Sequence, residues 1–166
     1  MRYFLDTEFI ESGSGEPIYL LSIGIVAENG REFYAIVSDA PREKANDWVK
    51  TNVLPGLRPS GLLYHWLLLS DLKDAIKFFI GDDPKPEFWG YYADYDWVVF
   101  CQTFGTMLDL PKGWPKFCRD LKQWCADLGN PELPNQDSTE HNALYDARWN
   151  KQVWEFLQCS LKSDSK

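Results

Sequence analysis

Arg2-Tyr3-Phe4-Leu5-Asp6-Thr7-Glu8-Phe9-Ile10 opens the chain, and the reading of this stretch decides the fold. Tyr3 to Leu5 is apolar without alternation, the pattern of a central strand covered on both faces. Asp6 and Glu8 then interrupt an otherwise apolar run. Side chains alternate along a strand, so positions 6 and 8 share one face while Leu5, Thr7 and Phe9 take the other. Two like charges side by side in a mostly buried place repel each other and lose hydration. Something positive must hold such a pair, and a hard divalent cation is the natural candidate. The competing reading ends the strand at Leu5 and makes Asp6-Thr7-Glu8 a solvated loop. The rest of the chain decides between them.

The 166 residues are enough for one domain with a real core, and no internal repeat or linker divides them. The expected domain is 1–158, followed by a polar tail, 159–166. Hydrophobic residues make up 45% and aromatics 16%, which excludes disorder except at the ends. No signal peptide is visible, and the apolar run from Leu62 to Leu69 is too short to cross a bilayer. The four cysteines, Cys101, Cys118, Cys125 and Cys159, show neither CxxC pairing nor the spacing of a disulfide scaffold. A reduced, cytoplasmic protein with no membrane partner is expected. The net charge of −8 argues against general affinity for nucleic-acid phosphates. It leaves room for a metal site, because a bound cation reverses the local sign. A processive binder of long duplex is excluded more strongly than an enzyme that grips one end.

Ile18 to Ala27 reads as a second strand, and Asn29-Gly30 gives the strongest short hairpin signal available. Arg31 to Val37 alternates as a third strand, so the first three strands form an antiparallel meander. Pro41 and Pro55 bracket a helix near Arg42 to Val53. Pro59 to Leu69 fits no single element, and Ser70 reads as the cap of a helix ending at Ile80. Glu87 to Tyr92 is a short aromatic strand, and a helix runs from Asp94 to about Phe104. Lys116 to Arg119 is a brief fifth strand, Leu121 to Leu128 a helix, and Asn142 to Leu157 a long final helix. The tail from Ser160 reads as frayed.

Two further places carry polar groups that packing does not ask for. Asp94 and Asp96 follow the fourth strand, at the carboxyl end where open α/β sheets bind ligands. Asp94 is placed to cap the helix, and Asp96 lies in its first turn, where the helix dipole favours a negative charge. His141 precedes the final helix, Asn142 caps it and Asp146 lies in its second turn. Ala143 is small enough to let that helix pack closely on the sheet. His65, among leucines and tryptophans, reads as a packed side chain. Asp6, Glu8, Asp96 and Asp146 together offer oxygen ligands with one imidazole, His141. Zinc is disfavoured by that donor set, while magnesium or manganese suits it. Two such ions about 3.5–4 Å apart would clamp the attacking and leaving oxygens of an in-line phosphoryl displacement. Neutral His141 would take a proton from the attacking water.

Asp6-x-Glu8, Tyr95-Asp96 and His141-x-Ala143-x-x-Asp146, in that order, resemble the three motifs of the DEDDh 3′–5′ exonucleases. That superfamily, with RNase T and oligoribonuclease among its members, has an RNase H-like fold. The closer resemblance is to a small stand-alone exoribonuclease family of bacteria and phages. Met1 to Glu11, Ser22-Ile23-Gly24, Val26-Ala27-Glu28 and Gly30-Arg31-Glu32 carry it. It runs from Met1 to about Phe156 and is weakest between Pro55 and Lys85. Many relatives have an asparagine upstream of the second-motif aspartate; here Ala93-Asp94 stands in that region, so Asp94 competes with Asp96, and Tyr95 favours the latter.

The resemblance implies an α/β, RNase H-like fold: a five-stranded mixed sheet, antiparallel in its first three strands and parallel after them, flanked by helices. It implies release of nucleoside 5′-monophosphates from single-stranded 3′ ends of RNA, with two Mg2+ or Mn2+ ions on Asp6, Glu8, Asp96 and Asp146. His141 would be the general base. Glu8 would also touch the terminal 3′-hydroxyl, the backbone at Thr7 and Phe9 would line the nucleotide pocket, and Phe9 would wedge against the terminal base. Most of the tryptophans read as core, with Trp97 and Trp66 the two to test for base contacts. Similar enzymes are often dimers, so a homodimer is one subunit state the resemblance allows. The alternatives are an exodeoxyribonuclease of the same class and an inactive RNase H-like module that binds a nucleotide or RNA end.

Overall fold

The computed structural model describes residues 1–13, 15–58, 61, 63–136 and 140–163. Its centre is a six-stranded sheet in the order β4-β3-β2-β1-β5-β6. The strands are β1 (Arg2–Ile10), β2 (Tyr19–Ala27), β3 (Glu32–Val37), β4 (His65–Leu67), β5 (Glu87–Gly90) and β6 (Arg119–Asp120). β1, β2 and β3 form the expected antiparallel meander, while β5 and β6 add parallel on the other side of β1. The arrangement is consistent with the RNase H-like fold. One strand more is present than expected, because β4 pairs parallel to β3 at the sheet edge. Its three residues are too few to show a period, and its Trp66 faces solvent. His65 lies on this strand, exposed and stacked on Phe33 at 5.5 Å, not packed inside.

Helices cover both faces, as the apolar runs of β1 and β2 require. α2 (Leu69–Ile80) and α3 (Asp94–Phe104) cover one face, where Tyr3, Leu5, Ile23, Ile25 and Phe33 meet Leu72, Ile76 and Phe100. α1 (Asp47–Asn52) and α5 (Ala143–Ser163) cover the other, where Phe4, Val26, Tyr34 and Ile36 meet Val49, Val53, Ala143 and Ala147. α4 (Leu121–Asp127) packs on the later turns of α5 through Leu121, Cys125, Val153 and Leu157. Among the described residues no helix is long and apolar enough to cross a membrane.

Several local expectations change. The helix expected over 42–53 is a 3-10 turn at Arg42–Lys44 followed by α1, broken where buried Ala45 turns extended and Asn46 caps α1 by accepting from the Val49 N–H. Ser70 does not cap α2; the Asp39 carboxylate, beyond the end of β3, accepts from the Leu69 N–H at 2.9 Å. Asp94 does not cap α3 either. It lies exposed in the first turn, and the Ala93 N–H donates to Asp120 at 2.7 Å. α5 runs past Leu157 to Ser163, so most of the expected tail is helix, and 164–166 lie outside the described residues.

Candidate active site

β1 runs unbroken through Asp6 and Glu8, so the loop reading of that stretch is set aside. Asp6 faces Gly24 across the β1–β2 pair, and Glu8 faces Ser22. The register shifts immediately after, with Phe9 opposite Leu20, so β2 carries one extra residue there. Such bulges re-aim side chains beside functional sites.

α5 reaches this place because the sheet makes room for it. A Cβ on Gly24 would lie 2.1 Å from the Ala143 carbonyl oxygen, so only glycine lets the first turn of α5 touch β2 here. Small Ala143 is fully buried at the contact, as its size suggested. Asn142 caps the helix by accepting from the Leu144 and Tyr145 N–H groups, and its amide donates to Tyr34 Oη and the Gly56 carbonyl. Two turns on, Asn150 donates to the Leu5 carbonyl at 2.9 Å, fixing α5 against β1 next to Asp6. Asp146 is thereby brought to the strand pair, and Asp6, Glu8 and Asp146 each offer an oxygen within 4.8 Å of the others.

Asp96 arrives from the opposite side, in the first turn of α3. It is 6% exposed, and its Oδ1 accepts from both the Thr7 N–H at 2.8 Å and the Thr7 hydroxyl at 2.5 Å. It is not part of the three-carboxylate contact, but it is close enough to raise the pKa of Asp6, Glu8 and Asp146. Asp94 shares neither the burial nor the contact. Phe9 stacks on Tyr95 at 5.6 Å, and the Tyr95 hydroxyl donates to Glu11.

The four carboxylates are held against their charge. Burial, then repulsion from Asp96, Asp146 and Glu8, pushes Asp6 well above the ordinary range. Burial and the charges of Asp146 and Asp96 push Glu8 up to about 8. Burial raises Asp146 to about 7, although the His141 N–H and the Gln136 amide donate to it. Burial raises Asp96 to about 6 against the two Thr7 hydrogen bonds. Among the described residues no lysine, arginine or histidine forms an ion pair with any of the four. An all-oxygen, cation-free, partly buried acidic cluster fits a hard divalent ion and gives zinc no soft ligand.

His141 stands at the neck of α5 in the left-handed region, φ 69°, which its N–H bond to Asp146 at 3.1 Å helps to hold. Its ring meets the indole of Trp48 edge to face, with centroids 4.9 Å apart. Sequence reasoning missed Trp48, Gln136 and Asn150, and it named Gly24 within the resemblance without its packing role, which a glycine inside an apolar strand could have signalled. Of the tryptophans singled out, Trp97 is core, 9% exposed against Phe88 and Phe100, whereas Trp66 is exposed beneath the guanidinium groups of Arg42 and Arg58.

A family model for the 3′–5′ exoribonuclease Rv2179c-like domain matches residues 1–158. Two relatives from Mycobacterium tuberculosis are each 42% identical over 150 residues, covering 89% of this chain and 88% of the relative. They are the 3′–5′ exoribonuclease MT2234.1 of strain CDC 1551 / Oshkosh and the 3′–5′ exoribonuclease Rv2179c of strain ATCC 25618 / H37Rv.

Proposed function

The chain belongs to the Rv2179c-like 3′–5′ exoribonuclease domain family, and from that premise we propose that it removes nucleoside 5′-monophosphates one at a time from single-stranded RNA 3′ ends. The observation that carries the reading is the convergence of Asp6, Glu8 and Asp146 within 4.8 Å, with Asp96 pinned beside them. Two Mg2+ or Mn2+ ions, held by these four carboxylates, would activate the attacking water and stabilise charge on the phosphate oxygens. Every further step belongs to the chain's own residues. Thr7 locks Asp96 in place, and Gln136 with the His141 N–H orients Asp146. The His141 imidazole accepts the proton of the attacking water. Glu8 contacts the terminal 3′-hydroxyl, and the backbone at Thr7 and Phe9 flanks the terminal nucleotide. Phe9, backed by Tyr95, offers an aromatic edge to the terminal base, a contact that tolerates any sequence.

The test is a 5′-labelled single-stranded RNA with Mn2+, run beside a matched DNA strand, a 3′-phosphorylated RNA and a circular single strand. A ladder shortening by one nucleotide from the 3′ end, with monophosphate as product, is expected on the plain RNA. A 3′-phosphate should block it by crowding Glu8 with negative charge, and the circle should remain intact. Faster cleavage of the DNA strand would move the assignment to an exodeoxyribonuclease. Binding without any cleavage would make the domain an RNA-end binding module.

A further inference from the structure

The His141 backbone is fixed on both sides, but its ring makes no hydrogen bond among the described residues. The N–H is held by Asp146, and the next residue, Asn142, is bonded to Gly56 at 2.8 Å and to Tyr34 Oη at 3.0 Å. A group that must accept a proton from one water molecule needs a fixed ring orientation as well as a fixed Cα. The contact that supplies it comes from α1. Trp48 meets the imidazole at 4.9 Å with the ring planes 79° apart, the edge-to-face geometry aromatic rings prefer.

Trp48 is poorly explained by packing alone. It is 54% exposed on a short surface helix, while the residues that bind that helix to the sheet are Val49 and Val53 on its inner side. The helix itself is firmly placed, capped by Asn46 and followed by the Leu54–Leu57 turn whose Gly56 carbonyl receives the Asn142 amide. Segment 46–57 and the His141–Asn142 neck are therefore tied to each other, and α1 presents the indole to the imidazole.

We propose that Trp48 is a positioning residue whose indole holds the His141 imidazole in its working orientation beside Asp146. The inference rests on His141 being the general base. Trp48 touches the base rather than the reacting atoms, so its loss lowers turnover without weakening substrate binding. An edge-to-face pair of ordinary strength biases a rotamer by about two- to tenfold, which sets the upper limit of the expected loss.

The experiment combines kinetics on a single-stranded RNA with proton NMR of the metal-free protein. Trp48→Ala should lower kcat by about two- to tenfold with KM essentially unchanged, and Trp48→Phe should recover most of the loss. The double variant His141→Ala/Trp48→Ala should be no slower than His141→Ala alone, because the indole acts only through the ring it holds. The chain has two histidines, so a His65→Ala variant assigns the imidazole signals. The His141 signals should be displaced by the indole ring current and move toward free-imidazole positions in Trp48→Ala. A rise in KM at unchanged kcat would mean that the indole stacks on RNA instead, and would overturn the proposal. So would additive losses in the double variant, or His141 signals that do not move. Full activity of His141→Ala would overturn the general-base reading itself, and this proposal with it.

Discussion

Glu8→Gln is the substitution whose effect on stability the structure specifies most directly. Glu8 is 8% exposed, and burial with the charges of Asp146 and Asp96 lifts its carboxyl to about 8. No hydrogen bond contributes to that shift, so the amide removes a charge without removing a partner. An unfolded glutamate titrates at about 4.3. A folded-state value raised above the unfolded one means that the stability contribution is complete below about pH 4.3 and is lost as pH rises through about 8. At 1.36 kcal/mol per unit the full ionisation penalty is about 5 kcal/mol. Water entering the site and proton uptake by Asp146 instead relieve part of it, leaving about 2 kcal/mol at pH 8.

For a chain of this size 2 kcal/mol corresponds to about 4–8 °C in Tm. The assay is thermal unfolding in EDTA at pH 8 and pH 5, repeated with Mn2+. Without metal the variant should melt about 4–8 °C above wild type at pH 8, and the gain should shrink to about a quarter of that at pH 5. With Mn2+ at pH 8 the order should narrow or reverse, because only wild type keeps all four proposed ligands. A variant no more stable than wild type at pH 8 would refute the reasoning. So would an equal gain at both pH values, since charge would then not be its source.

Asp6→Asn and Asp146→Asn should each abolish cleavage of single-stranded RNA with saturating Mg2+, while circular dichroism shows a folded protein. Gly24→Ala should lower stability by about 3 kcal/mol or more in denaturant titration, since its Cβ would lie 2.1 Å from the Ala143 carbonyl, a backbone atom that cannot step aside. His141→Ala should cut turnover by roughly 10²–10⁴-fold yet keep the Mn2+-induced rise in Tm, because the Asp146 contact comes from its backbone N–H. His65→Ala, on the exposed edge strand, should change neither turnover nor the metal response by a comparable factor.

The parts of the fold legible in the sequence are those whose signal is local. β1, β2 and β3 follow from long apolar runs joined by Asn29-Gly30, and the observed bounds differ from the expected ones by a residue or so. Asp6 and Glu8 stood out because a strand this apolar has no other use for two carboxylates. Several of the misses share one physical cause. Asp39 caps α2 from beyond the end of β3, Asp120 receives the Ala93 N–H from the neighbouring strand, and Gln136 reaches Asp146 from a loop without pattern. Each is a polar contact between segments distant in sequence, and nothing in the neighbouring residues announces the partner. Trp48 was invisible for the same reason, since its neighbour is His141 in space and Val49 in sequence. β4 was too short to carry a period, and its Trp66 faces solvent.

Charge and topology together account for why an acidic protein can handle RNA by its end. Several of the cationic side chains are already committed within the chain. Arg2 pairs with Glu28, Arg148 makes a two-pronged bond to Glu32 at 2.7 Å, and Arg42 donates to the carbonyls of Val37, Ser38 and Ala40. With a net charge of −8, little attraction is left for a long run of phosphates. Among the described residues the four carboxylates concentrate negative charge at one point, and bound divalent ions would reverse its sign there. The topology makes that point single. Alternate positions of one strand supply Asp6 and Glu8, the α3 turn brings Asp96 from one face, and the Gly24–Ala143 contact brings Asp146 from the other. On the proposed reading a strand is therefore held where it is cut rather than along its length, and a free 3′ end is the part of an RNA that such a site can hold.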